Sequence, residues 1–134
     1  MTPSFLSALA AFIAHLAVSL ALLALFLAAF TAMTPQREVD LIRRGNAAAA
    51  LGLAGAMVGY AIVLSRAVAV SGGIGEAVVW GVIGLAIQLG GQYALNLLIP
   101  RIGAEIEGGS LTAGVMTAAT AVTLGLVNAA SMTP

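Results

Sequence analysis

The stretch WGVIGLAIQLGGQYALNLLIP (residues 80–100) decides the fold, because it has the length of a membrane span and contains no charged residue. About 20 apolar residues cross the hydrocarbon of a bilayer as a single helix. Five residues at every fourth position share one face of this helix: Trp80, Gly84, Gln88, Gln92 and Asn96. Carboxamides are costly to expose to lipid, so this face, the third-helix stripe, is predicted to point away from it.

The rest of the chain has the same character. Of its 134 residues, 61% are hydrophobic and 7% are charged, and the mean hydropathy is +1.11. Soluble domains contain about 25% charged residues. Four apolar blocks free of charge follow one another: residues 5–32, 47–64, 77–99 and 111–132. We therefore predict an all-α integral membrane bundle of four transmembrane helices, forming one domain over residues 1–134 and embedded in the lipid bilayer.

The first linker, TPQREVDLIRRGN (34–46), predicts a short surface helix between two spans. Thr34 is placed to cap it, Pro35 to occupy its first position, and Gly45 to end it. Asn46 then caps the second transmembrane helix. Its charges predict a solvated helix face, with Asp40 paired to Arg44, or alternatively a docking surface for a cytoplasmic protein partner. The charged residues concerned are Glu38, Asp40, Arg43 and Arg44.

The second linker, PRIGAEIEGGS (100–110), follows the same plan and ends in Ser110 as the cap of the fourth transmembrane helix. The prolines that open the two linkers, Pro35 and Pro100, lie 65 positions apart. This correspondence predicts a tandem repeat of two parallel two-helix units, with repeat 1 over about residues 5–70 and repeat 2 over about residues 77–132.

Arginine placement predicts the orientation. The two linkers contain Arg37, Arg43, Arg44 and Arg101, whereas the opposite side contains Arg66 alone, just beyond the end of the second block. Basic residues concentrate in cytoplasmic loops of membrane proteins. Linkers 34–46 and 100–110 are therefore predicted to be cytoplasmic, and both termini periplasmic or extracellular.

Polar residues inside the spans are the candidate functional residues. His15, in the first helix, is either a proton relay or a neutral histidine bonded to a neighbouring helix. Asn128, in the fourth, either joins His15 and Trp80 in an outer-side polar cluster or lies at a plain interface. The residues Gln88, Gln92 and Asn96 either bond across a helix interface or line a wet path for an ion or a polar solute.

Small residues predict where helices pack closely. The second helix contains Gly55 and Gly59 at GxxxG spacing, and the fourth contains Gly114 and Gly125, each four residues from an alanine. Such faces pack either within one protomer or between protomers, and the sequence leaves both arrangements open.

Three segments carry a family resemblance: TPQREVDLIRRGNAAAALGLAGAMVGYAIVLSRA, WGVIGLAIQL and the terminal GLVNAASMTP. With them the chain resembles the bacterial membrane family known as domain of unknown function 350. The resemblance implies a bacterial inner-membrane protein made of two copies of a two-helix unit, and no settled biochemical activity. Its recognisable features are Thr34, Pro35, Glu38, Leu41, Ile42, Gly45, Asn46, Trp80 and Gln88.

Several function classes are disfavoured. The chain has no cysteine and no HExxH, GxSxG or phosphate-binding loop, and its net charge is zero. We expect no catalytic residue, no cofactor, no metal and no nucleic-acid partner. The leading hypothesis is a non-enzymatic membrane protein that acts through homo-oligomerisation or as the membrane subunit of an envelope complex. The alternative is a small oligomeric channel or transporter lined by the third-helix stripe.

Overall fold

Six helices form the protein. In the computed structural model, which describes residues 3–133, they are α1 Pro3–Met33, α2 Glu38–Arg43, α3 Ala47–Val70, α4 Ile74–Leu98, α5 Ile102–Glu107 and α6 Leu111–Ser131. Four of them, α1, α3, α4 and α6, are long and apolar enough to span a membrane. No strand occurs between residues 3 and 133. The predicted all-α bundle of four transmembrane helices is confirmed.

Two spans are longer than their bilayer requires. The 31 residues of α1 extend over about 46 Å, against about 30 Å of hydrocarbon. Its residues 4–13 are all exposed. α3 continues to Val70, so the predicted end at Leu64 is wrong. Arg66 therefore lies within α3, and its Nε donates to the main-chain oxygen of Met132, which follows α6, over 3.1 Å.

Helices α3 and α6 pack through backbone rather than through side chains. A Cβ atom added to Gly125 would lie 2.4 Å from the Gly59 oxygen, and one added to Gly55 would lie 2.3 Å from the Cα of Ala118. Gly114 approaches the Ala48 backbone in the same way. The predicted small-residue faces therefore pack against each other within one protomer.

Aromatic side chains attach α1 to this pair. Phe26 and Phe30 of α1 are buried, and the Phe26 ring centroid lies 4.6 Å from that of Tyr60 in α3. The Tyr60 hydroxyl donates to the Gly81 oxygen of α4 over 2.8 Å. One buried tyrosine thus links three of the spans, and its hydrogen bond removes the cost of placing a hydroxyl in the interior.

The short helices α2 and α5 lie together at one end of the bundle, the linker end. Asn46 caps α3 by accepting a hydrogen bond from the Ala49 amide at 3.0 Å, and its Nδ2 donates to the Ile106 oxygen at 2.7 Å. Ser110 caps α6 by accepting from Ala113 at 3.3 Å. Both predicted caps are confirmed. Gly45 follows α2 with φ of 83°, the left-handed conformation that ends helices.

The predicted start of α2 at Thr34 and Pro35 is wrong. The Thr34 amide donates to the Phe30 oxygen at 3.1 Å, so Thr34 continues the hydrogen bonding of α1 directly after Met33. α2 begins at Glu38 and has Arg37 at its N-cap, without a side-chain capping bond. The predicted ion pair between Asp40 and Arg44 is also replaced. Asp40 Oδ2 lies 3.7 Å from Arg37 Nη1 instead.

The two halves of the chain share one order of elements, a long helix, a short helix and a long capped helix. Their origin as two copies of one unit stays a prediction. The predicted location of the termini also stays a prediction, and residues 1, 2 and 134 lie outside the described residues.

Candidate functional site

Polar side chains buried inside a membrane bundle are the natural candidates for function. Among the described residues they fall into two groups. Thr34, Gln36, Glu38 and Thr117 lie toward the linker end and are called here the linker-end cluster, while Gln88, Gln92 and Asn128 lie further along the bundle. Asp40, Arg43 and Arg44 lie outside both groups on the surface of α2 or just after it.

The third-helix stripe faces protein. Gln88 and Gln92 are buried, and Trp80 and Asn96 are half-buried. The Gln88 Nε2 donates to the Ala121 oxygen of α6 over 3.2 Å, and Gln92 Nε2 donates to Asn96 Oδ1 over 3.1 Å. One carboxamide of the stripe therefore bonds across a helix interface, whereas the next two bond to each other along α4.

The Oε1 atom of Gln88 is buried and has no hydrogen-bond partner. The space beside it measures about 10 Å³ and is lined mainly by apolar groups, including Phe26, Phe30 and Leu124. A single water molecule needs about 10–15 Å³ of such volume. The space beside Gln88 is therefore at the lower limit for a single water molecule and is narrower than a water-filled path requires.

His15 and Asn128 do not meet. His15 Nδ1 pairs with the Ala11 oxygen of its own helix at 2.7 Å, and both predicted alternatives for His15 stay predictions. Asn128 Nδ2 donates to the Gly84 oxygen of α4 at 3.1 Å. The half-buried His15 lines an apolar groove of about 390 Å³ between α1 and α3. His15 and Asn128 therefore each bond to a backbone oxygen. The described hydrogen bonds do not join His15, Trp80 and Asn128 into the predicted polar cluster.

Glu38 is 3% exposed, so its predicted place on a solvated face is wrong. α2 folds back under the bundle, and its first side chain points inward into a closed space that Phe30, Leu53 and Ile106 also line. The Thr34 hydroxyl donates to Glu38 Oε1. Burial raises the pKa of the Glu38 carboxyl, and the Thr34 hydrogen bond lowers it by less.

Two oxygens of this cluster have no partner, Glu38 Oε2 and Gln36 Oε1. Sequence reasoning overlooked Gln36 and Thr117, because a glutamine in a linker and a threonine in an alanine-rich helix are ordinary residues there. The four-residue spacing of Thr34 and Glu38 was the available signal, since it brings a hydroxyl and a carboxylate to one side of a helical turn.

Known proteins resemble the chain over almost its full length. The family model described as Domain of Unknown Function (DUF350) matches residues 4–132. The UPF0719 inner membrane protein YjfL of Escherichia coli K12 is 34% identical over 128 residues, which cover 96% of this chain and 97% of that protein. The UPF0719 transmembrane protein YshE of Bacillus subtilis is 29% identical over 121 residues, covering 89% and 90%. No solved structure matches significantly. With its family model matched from the first span to the last, the chain belongs to the DUF350 family.

Proposed function

We propose that this protein is a non-enzymatic, multi-pass inner-membrane protein that acts through assembly with further copies of itself. The location is supported by the inner-membrane relative from Escherichia coli. A role as the membrane subunit of an envelope complex is the second form of the same proposal. The arginines of linkers 34–46 and 100–110 support a cytoplasmic position for the linker end.

One observation carries this proposal: the open volume lies on the lipid-facing surface and not in the interior. A groove of about 650 Å³ runs between α4 and α6, whereas the space beside Gln88 measures about 10 Å³. The groove is almost entirely apolar. Small and long residues line it side by side: Gly91, Ala94, Ala119, Leu98, Met116 and Leu124.

This shape suits a helix better than a solute. Helices associate in lipid when small residues let backbones approach and long side chains interlock around them. The middle of α1 supplies a matching unpaired element at the depth of this groove, because Leu20 and Leu25 are 56% and 55% exposed. A second copy of this chain therefore supplies both partners of such a contact.

Filling the groove is expected to separate the copies. Ala94→Trp places a large side chain at an exposed groove position. We expect the dissociation constant of the oligomer to rise at least about tenfold, equivalent to about 1.4 kcal/mol. Native mass spectrometry of protein released from nanodiscs, over a range of protein-to-lipid ratios, measures this constant.

Val58→Trp is the matched control, because Val58 is 51% exposed on α3 and lies outside the groove. It should leave the oligomer unchanged. A photo-crosslinker at Asp40 tests the envelope-complex form, in which the linker contacts another protein. A wild-type chain that stays monomeric at every ratio, with no crosslinked partner, would overturn the proposal in both forms.

One observation favours a second candidate, a small oligomeric channel or transporter for an ion or small polar solute. Gln88 Oε1 is a buried carbonyl oxygen without a partner, and such oxygens replace hydration shells in ion paths. Since the space beside Gln88 is narrower in one protomer than a water-filled path requires, this candidate also requires an oligomer whose assembly widens the space around the third-helix stripe.

Gln88→Leu tests this candidate. If the stripe lines a path, the flux of K⁺ or protons into proteoliposomes should fall at least about tenfold in this variant. Leucine cannot replace the hydration of a passing ion as the Gln88 carbonyl oxygen does. Ion-sensitive dyes report the flux. Ile87→Leu, on the exposed side of α4, is the control and should conduct normally. Equal flux in both variants, with the helical spectrum preserved, would exclude the stripe as a path.

A further inference from the structure

The linker-end cluster contains the one carboxyl side chain that is buried among the described residues, Glu38. Its oxygens have different surroundings. Oε1 accepts a hydrogen bond from Thr34, whereas Oε2 lies in the interior without any partner. An ionised carboxylate with an unpaired oxygen in an apolar interior is strongly disfavoured relative to its neutral form.

No described ion pair involves this carboxyl, although Arg37 and Asp40 line an open pocket together with it. Beside Glu38, the enclosed space is lined by Phe30 of α1, Ala49, Gly52 and Leu53 of α3, Ile106 of α5, Thr117 of α6 and Gln36. None of these is charged. The nearest arginine in sequence, Arg37, is paired with Asp40 at the surface.

The other charged groups lie elsewhere. Arg43 and Arg44 of the α2 region, Arg101 before α5, and Glu105 and Glu107 of α5 are exposed. Arg66 of α3 is occupied by the backbone beyond α6, and Glu76 of α4 accepts from Gly72 at the far end. The ionisation of Glu38 therefore depends on its burial and on Thr34.

The enclosed space on the inner side of Glu38 is too small for a water molecule, whereas the open pocket of about 310 Å³ lies on the linker side. A metal cation with several oxygen ligands requires more room than the enclosed space offers. A proton requires none. Once protonated, Glu38 becomes a donor, and the partnerless Gln36 Oε1 that lines the same space is an acceptor of the complementary kind.

We propose that Glu38 is a proton-binding site at the linker end of the bundle. With α2 packed under the bundle, the carboxyl holds a proton taken from water. When segment 34–46 moves outward, the carboxyl is hydrated, releases that proton to water and becomes ionised. The site thereby couples the position of the linker to pH, and it does so whether or not the protein oligomerises.

The raised pKa of Glu38 has the sign that this coupling needs. A carboxyl whose pKa is higher in the packed state binds more protons there than in the opened state. The proton therefore stabilises the packed state fully below the ordinary Glu pKa of about 4.3. Above that pH, the equilibrium constant for packing falls by up to about tenfold per pH unit until the pH reaches the packed-state pKa.

Infrared spectroscopy of protein labelled at glutamate with ¹³C measures this proton directly in proteoliposomes. In the wild type, the band of a protonated glutamate should persist above pH values of about 4.3, where exposed glutamates are ionised. Glu38→Gln should remove the persistent band. Asp40→Asn, a neutralisation of the next carboxylate on the surface of α2, should leave it unchanged.

Thr34→Val gives a test that does not depend on removing the carboxyl. It deletes the hydrogen bond that lowers the pKa of Glu38, so the midpoint of the persistent band should move up by about one pH unit, a tenfold gain in proton affinity. Hydrogen exchange of amides 38–43, corrected for intrinsic rates, should show protection lost as pH rises through the same midpoint.

Three outcomes would overturn the proposal. The first is a wild-type spectrum without a persistent band. The second is a band that remains in Glu38→Gln. The third is loss of the band on adding Na⁺, K⁺ or Mg²⁺ at constant pH and ionic strength, since that result would make the cluster a metal-cation site.

Discussion

Leucine at position 125 is expected to prevent the bundle from assembling. A Cβ atom at Gly125 would lie 2.4 Å from the oxygen of Gly59 and 2.9 Å from its Cα. Both obstacles are backbone atoms, so no change of side-chain rotamer relieves the overlap, and α6 must move away from α3. Overpacking of a well-packed interior costs about 1–3 kcal/mol, and this backbone contact belongs at or above the top of that range.

Gly90→Leu is the matched control for this substitution. Position 90 is exposed on α4, and an added Cβ there would meet nothing within 4 Å. Both changes replace a helical glycine by leucine and gain about the same helix propensity, roughly 0.8 kcal/mol. Unfolding in detergent micelles, followed by circular dichroism and by the single tryptophan, should separate the two variants. Equal stability would contradict the backbone packing of α3 against α6.

Asn46→Ala is expected to have the second largest effect, because one side chain makes two kinds of contact. Its Oδ1 caps α3 at the Ala49 amide, and its Nδ2 donates to the oxygen of Ile106 in α5. Loss of a cap costs about 1 kcal/mol, and loss of a further hydrogen bond about as much again. The free energy of unfolding should therefore fall by about 2 kcal/mol, and about half of this loss comes from the hydrogen bond between the two linkers.

Ser110→Ala isolates the capping contribution. Ser110 caps α6 through its bond from Ala113, and this is its only described side-chain bond. We expect a loss of about 1 kcal/mol, half of that for Asn46→Ala. Hydrogen exchange distinguishes the variants further, since only Asn46→Ala should expose the α5 amides. If the two substitutions destabilise equally, the bond between the linkers contributes nothing.

The effect at Asn46 and the Glu38 site share one origin, the packing of α2 and α5 under the spans. Among the described spans the one aspartate or glutamate is Glu76, which is exposed in the first turn of α4, so the spans themselves bury no carboxyl group for proton-coupled chemistry. Glu38 reaches the interior from a linker instead. The linker thus supplies the bundle with a buried carboxyl group. Such a group is far less costly at the end of a span than at its middle.

The sequence alone determined the features that depend on local chemistry. Apolar blocks of spanning length predicted four helices, and Asn46 and Ser110 predicted two caps, because a cap acts on an amide three residues away. The fourfold spacing of Gln88, Gln92 and Asn96 predicted a face turned from lipid, because helical periodicity is local as well. Small residues predicted close packing, although not which helix would provide the partner.

Tertiary structure decided everything that depends on which segments meet. Thr34 follows the end of α1 instead of capping α2, because its amide donates to the Phe30 oxygen. His15 bonds to the Ala11 oxygen of its own helix, and Asn128 donates to the Gly84 oxygen of α4. Glu38 passed from a presumed solvated face to the interior when α2 folded under the bundle. Whether a residue on a two-turn helix points inward or outward depends on which distant segments pack against that helix. The local sequence does not predict those contacts.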